Sequence, residues 1–174
     1  MSLRPIATHP DSVLRSENEA VTDFGEDFKS LVVDMAETMY SAPGVGLAAP
    51  QISVNKRVFV IDVGENDPTG APVLRVFVNP EILERQGEIL WEEGCLSVPG
   101  MNETVKRAER VAIRALDEYG KAFEMEVEGL LAVAMQHEND HLSGVLFFDH
   151  LSPLKRKLAL KKYMKEQKQK MDAD

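Results

Sequence analysis

His137 and His141 stand four residues apart, with Glu138 directly after the first, in the run Gln136-His137-Glu138-Asn139-Asp140-His141. No other feature constrains the chain as strongly. On a helix, positions i and i+4 lie one turn apart on one face. Two imidazoles placed in this way can share a metal ion at about 2.0–2.1 Å each. Glu138 would then hold a water on that metal without ligating it. The bland alternative is a polar surface helix with two solvated histidines. The preceding residues, Gly129-Leu130-Leu131-Ala132-Val133-Ala134-Met135, are apolar and would carry the pattern inward. Gly144, just past the last turn, suits a helix stop. A helix over 130–142 is expected.

Two histidines do not complete a catalytic centre, which usually takes three protein ligands and leaves one position open. One known pattern places a third His three residues after the Gly. Here that position is Phe147, and an apolar ring cannot ligate. A second pattern takes a Glu from a later helix. Glu166 is the first acidic residue after Asp149, but Lys165-Glu166-Gln167-Lys168 has the composition of solvated surface. The third source lies upstream, Cys95 in Glu92-Glu93-Gly94-Cys95-Leu96-Ser97, whose thiolate would be a strong ligand. The competing reading of Cys95 is a small buried hydrophobe. It is the only cysteine, so no internal disulfide can form, which suits a reducing cytoplasm.

The rest of the chain reads as an ordinary globular protein. Its 174 residues suit one domain, 1–174, with a sizeable core. Phe28, Leu31, Val32, Met35 and Met39 recur at helical spacing, predicting an amphipathic helix over 24–41 that Pro43 and Gly44 end. Residues 44–51, rich in small side chains, read as a loop. Strand-like runs follow at 57–63, 73–79, 82–91, 103–116 and 123–127, with turns at 67–70 and 117–120. Ser152-Pro153 opens a last helix, whose Leu154, Leu158, Leu160 and Tyr163 suggest a partly apolar face. The expected class is α+β: mainly antiparallel sheets packed around the central His-Glu-x-x-His helix, with a C-terminal helix.

Charge is unevenly spread. Residues 155–174 hold 8 Lys/Arg against 3 Asp/Glu, while 1–154 hold 12 against 26. An acidic body with a basic tail fits a tail that meets a polyanion, or simply a solvated lysine-rich helix. No apolar run approaches the roughly 18 residues that span a bilayer. The stretch Met1-Ser2-Leu3-Arg4-Pro5 lacks the apolar core of a signal peptide. No membrane association is expected.

Three segments together resemble the signature motifs of the peptide deformylase family, in the same order and at matching separations. They are Gly44-Val45-Gly46-Leu47-Ala48-Ala49-Pro50-Gln51, Glu93-Gly94-Cys95-Leu96-Ser97 and Gln136-His137-Glu138-Asn139-Asp140-His141. Arg114-Ala115-Leu116-Asp117, Gly129-Leu130-Leu131-Ala132 and the run 149–155 are similar to the bacterial members too, so the resemblance spans essentially the whole chain. It implies an enzyme that removes the formyl group from the N-terminal formyl-methionine of nascent polypeptides, releasing formate. It implies one divalent ion held by Cys95, His137 and His141, Fe²⁺ physiologically, with Zn²⁺, Ni²⁺ or Co²⁺ possible in a purified sample. A divalent ion lowers the pKa of its water from 15.7 toward roughly 7, and Glu138 would serve as general base and then general acid.

The same resemblance makes the Gln51 side-chain amide and the Leu96 N–H the donors to the developing oxyanion. Val45, Trp91, Leu130, Val133 and Ala134 would line the methionine pocket, with Glu93 near its rim. Gly46 would let the backbone pass close to the substrate, and limited space by the metal would exclude acetyl groups. One position departs from many bacterial relatives: Asn102 stands seven residues after Cys95 where they carry an Arg thought to hold the substrate backbone. Asp140 would orient the site through an ion pair with Arg107. The basic C-terminal helix would dock on the ribosome, in the bacterial cytoplasm, with the enzyme itself a monomer.

Overall fold

The structure is a computed structural model describing residues 2–64, 67–70 and 73–173. Met1 of the N-terminal stretch and residue 174 of the basic extension lie outside the described residues. Helix α1 (Glu26–Ser41) precedes strands β1 (Gly46–Ala48), β2 (Val58–Ile61), β3 (Arg75–Gln86), β4 (Ile89–Cys95), β5 (Val98–Arg107), β6 (Arg110–Leu116) and β7 (Ala122–Glu128). Helices α2 (Gly129–Leu142) and α3 (Pro153–Ala173) follow. The strands form a five-stranded antiparallel sheet in the order β1-β2-β3-β6-β7 and a separate β4-β5 hairpin. This is the α+β arrangement read from the sequence.

Strand β2 shows why the large sheet sits where it does. Its four residues, Val-Phe-Val-Ile, are all buried. Successive side chains point to opposite faces. Val58 and Val60 join the α1 side, with Val32, Met35 and Met39. Phe59 and Ile61 join the α2 side, with Leu131 and Met135. A helix therefore covers each face, and a strand with no polar position is stable only between two such covers. Burying one of these side chains contributes about 1.5–3 kcal/mol. The β4-β5 hairpin builds a third cluster, in which Val98, Met101 and Val105 meet Phe147, Phe148 and Tyr163.

Four expectations change. The single strand over 82–91 is two, because Gly87 adopts φ 69° and turns the chain from β3 into β4. The single strand over 103–116 breaks between β5 and β6. There the Gln136 side chain takes both main-chain groups of Ala108, accepting its N–H at 3.0 Å and donating to its carbonyl at 2.9 Å. A side chain of α2 thus replaces the ladder at the point where the chain passes between sheets. Part of the expected loop 44–51 is strand β1, paired with β2. On α3, Leu154 and Leu158 are 67% and 59% exposed, while Ala159 and Tyr163 are buried. Both pairs are spaced by one turn, but the buried one is rotated by one residue.

Candidate metal centre and active site

The chain brings its three motifs together at one end of the β4-β5 hairpin. Cys95 is the last residue of β4, His137 and His141 lie on α2, and Gln51 lies within a short 3-10 turn (Ala49–Ile52) after β1. The Cys95 Sγ lies 3.4 Å from His141 Nε2. The ligand-type atoms of Cys95, His137 and His141 all fall within 4.8 Å of one another. Phe147 packs its ring against His137 at 5.9 Å between centroids, so the position that a third His would take is core. Glu166 lies elsewhere, near Gly100 on the α3 side of β5.

The donors are oriented from behind. Glu93 Oε1 lies 2.8 Å from His137 Nδ1. A proton on Nδ1 leaves Nε2 as the free donor, the arrangement that metal-binding histidines use. Arg107 grips Glu93 with two hydrogen bonds, at 2.7 and 2.8 Å, and its Nη1 reaches Asp140 at 2.7 Å. His150 also meets Asp140, at 2.8 Å. Arg107 is only 3% exposed at its side chain and carries no spare charge, because two carboxylates answer it. Burial works against ionising Glu93, yet Arg107 and His137 hold its pKa down at about 2. Glu93, expected near the pocket rim, is therefore a buried support for His137, even though it lines the cavity.

The donor set fits a divalent cation. One thiol and two imidazoles are the ligands of a borderline-soft ion, and three protein donors leave a position open. Burial opposes charge on His137, but Cys95 and Glu93 hold its pKa well above the usual value. Burial, and then the charge on His137, push His141 well below. Glu138 Oε1 is buried without a hydrogen-bond partner among the described residues. Its carboxyl is pushed up to about 7, chiefly by burial. Such a group is costly to bury and well placed to exchange a proton near neutral pH.

A cavity of about 380 Å³ opens in front of this cluster. Cys95, His137 and Glu138 line it, together with Gln51, Leu96, Val45, Gly46, Glu93, Trp91, Leu130, Val133 and Ala134. His141 completes the donor cluster behind Cys95. Sequence reasoning passed over Pro43, Gly44, Val98 and Met101, which also line the cavity. Apart from the turn-forming Pro43 and Gly44, these residues carry no signal beyond ordinary core or turn character. Asn102 borders the cavity too, with its Oδ1 close against Gly94.

Gly46 is also required by a neighbouring side chain. A Cβ there would lie 2.6 Å from Glu138 Oε2 and 2.9 Å from its Cδ, so the missing side chain makes room for the carboxylate. Gln51 is held in one orientation. Its Oε1 accepts the Ala48 N–H at 2.9 Å, which turns Nε2 toward Cys95 Sγ at 3.7 Å and Ser97 Oγ at 3.0 Å.

Residues 3–157 match the family model for polypeptide deformylase. A peptide deformylase from Thermodesulfovibrio yellowstonii is 48% identical over 163 residues, 94% of this chain and 98% of the relative. The crystal structure of a peptide deformylase from Legionella pneumophila superposes with a TM-score of 0.89 at 49% identity, covering 98% of both chains. That of a peptide deformylase from Ehrlichia chaffeensis in complex with actinonin superposes with a TM-score of 0.88 at 38% identity, covering 95% of this chain and 98% of that one. The match runs through all three motifs that build the centre, and the chain belongs to the polypeptide deformylase family.

Proposed function

We propose that this enzyme removes the N-formyl group from formyl-methionine at the start of nascent polypeptides and releases formate. The observation that carries the reading is Glu138 Oε1, buried without a partner in the cavity, beside the Cys95, His137 and His141 donors. Those three side chains would hold one divalent ion, through the Cys95 Sγ and the imidazole nitrogens. When bound, the ion supplies Lewis acidity and an activated water. We read it as Fe²⁺ in the cell, with Zn²⁺, Ni²⁺ or Co²⁺ able to take the same donors.

Glu138 takes a proton as the formyl carbon is attacked and returns it to the leaving amine; a carboxyl near 7 suits both steps. The Gln51 Nε2 and the Leu96 N–H donate to the developing oxyanion, each contributing on the order of 10²–10³ in rate. Val45, Trp91, Leu130, Val133 and Ala134 form the apolar wall for the methionine side chain. With an amide at Asn102 in place of a guanidinium, the substrate backbone would be held by a neutral hydrogen bond there. We read the whole chain as one catalytic unit, working as a monomer in the bacterial cytoplasm. Among the described residues, no helix is long and apolar enough to cross a membrane.

Formyl-Met-Ala-Ser offered to the metal-loaded protein should yield formate, and acetyl-Met-Ala-Ser should yield no acetate. A metal-replete protein that releases no formate would sink this reading. The lysines of α3 supply a ribosome-facing surface, with affinity that falls as salt rises. Reversing charge at three exposed positions (K161E/K165E/K168E) should abolish co-sedimentation with ribosomes at low salt. Unchanged co-sedimentation would remove the ribosome from the proposal.

A further inference from the structure

Ser97 is completely buried, one residue beyond Leu96, and every polar group it carries is engaged. Its Oγ accepts a hydrogen bond from Gln51 Nε2 at 3.0 Å. Its N–H donates to Cys95 Sγ at 3.4 Å. Its carbonyl accepts the His9 N–H at 2.8 Å, and the His9 carbonyl in turn accepts the Tyr163 Oη at 2.7 Å. The same N-terminal segment holds the main chain of Gln51, because the Ala7 N–H donates to the Gln51 carbonyl at 2.7 Å. Residues 7–9 therefore brace both Gln51 and Ser97 against α3.

An amide NH₂ has two protons and a rigid plane. The Ala48 N–H anchors the oxygen end of the Gln51 amide, and Ser97 Oγ is the acceptor that anchors its NH₂ end. If one proton is bound by Ser97 Oγ, the other is left facing the thiol and the cavity. Without that acceptor the amide could rotate about its last torsion, which is broad for a glutamine. It would then meet the formyl oxygen in many orientations rather than one.

We propose that Ser97 is a positioning residue for deformylation: its hydroxyl binds one Gln51 amide proton and so aims the other at the oxyanion. This rests on the reading of Gln51 as an oxyanion donor. Ser97 acts on the transition state rather than on peptide affinity, because the donor it aims contributes most where charge develops. Its main-chain N–H also supports the Cys95 sulfur, and a side-chain substitution leaves that contact in place.

The test is a double-mutant cycle on the metal-loaded enzyme, joined to a readout that needs no turnover. Ser97→Ala should lower kcat by roughly 10-fold and leave KM within about twofold, the loss expected when a donor is misaimed rather than removed. In a Gln51→Ala background the same substitution should change kcat by less than about twofold, because a residue acting through a partner has nothing left to act on. In the ¹⁵N-labelled zinc form, Ser97→Ala should shift the Gln51 side-chain NH₂ pair, identified by its disappearance in Gln51→Ala. In the Co²⁺ form the thiolate charge-transfer band should stay where it is.

Equal kcat losses in both backgrounds would overturn the proposal. So would unmoved Gln51 amide resonances, or a displaced charge-transfer band. If the wild type released no formate, the activity would fail, yet the amide resonances would still decide whether Ser97 aims Gln51. Should Ser97→Ala not retain its ion, Ser97→Gly, which also lacks the acceptor and adds no ligand, carries the same measurements.

Discussion

Helices α2 and α3 follow one another in the chain and treat polar side chains in opposite ways. Helix α2 buries ten of its 14 residues, among them Gln136, His137, Glu138 and His141. Helix α3 buries only Ala159 and Tyr163 of its 21. On α2, Gln136 is answered by the main chain of Ala108 and His137 by Glu93. One oxygen of Glu138 is left unanswered, although a buried unpaired polar group costs about 1–3 kcal/mol. On α3 the lysines remain in water and cost nothing to keep. Polar groups are thus costly where they are buried beside the cavity and cheap where they face water.

The largest expected effect comes from the unanswered oxygen. Glu138→Gln should keep its metal content, read by elemental analysis, and lose about 10²–10⁴-fold in formate release. Retention of the wild-type rate would break the contrast between the helices, because the buried carboxyl would then have no task. The wild-type pH profile sharpens the same point. The base must be ionised, so kcat/KM should fall as pH drops below the Glu138 pKa. Burial pushes that value up to about 7, and a bound cation would draw it lower. A profile with no acid limb would argue against Glu138 as the base.

Next in size is the support behind α2. Arg107→Ala leaves Glu93 buried without its cation and strips Asp140 of one of its two partners, which should cost about 3–5 kcal/mol in urea unfolding and loosen the ion. Arg107→Lys should not restore the loss, because one ammonium cannot reproduce the paired contacts to Glu93. On the neighbouring sheet, Arg114 pairs with Glu124 in the open, with both side chains more than half exposed. Arg114→Ala should therefore change stability by about 0.5 kcal/mol or less. Similar losses at Arg107 and Arg114 would mean that burial is not what gives the first pair its weight.

The smaller effects belong to α3. Tyr163→Phe removes the hydrogen bond to the His9 carbonyl and should cost about 1 kcal/mol in thermal or urea unfolding. Lys165→Ala, on the exposed face, should fall within about 0.5 kcal/mol of wild type. A large loss at Lys165 would place that face in the fold's own packing rather than at a surface.

Much of this was legible in the chain itself. Helical spacing located α1 and α2, and the His-Glu-x-x-His pattern with Phe147 and Cys95 narrowed the third ligand. The breaks at Gly87 and Ala108 were not legible. Each runs through a stretch of acceptable strand residues, and the second depends on the Gln136 side chain arriving from another element. Similarly, Leu154 and Leu158 look like a buried stripe until the neighbouring Ala159 and Tyr163 are seen to face the core.

The sequence by itself determined which groups could hold an ion and move a proton, because ligand chemistry belongs to residue type and helical spacing to local geometry. Only the tertiary structure decided how those groups are held. Glu93 became a support for His137 as well as part of the cavity wall, Gly46 a space for Glu138, and Ser97 the acceptor for Gln51. These assignments depend on distances between residues some 40 or more apart in the chain, such as Glu93 and His137 or Gln51 and Ser97. Local propensity cannot encode them, and they come into being only when the sheets and α2 close around one cavity.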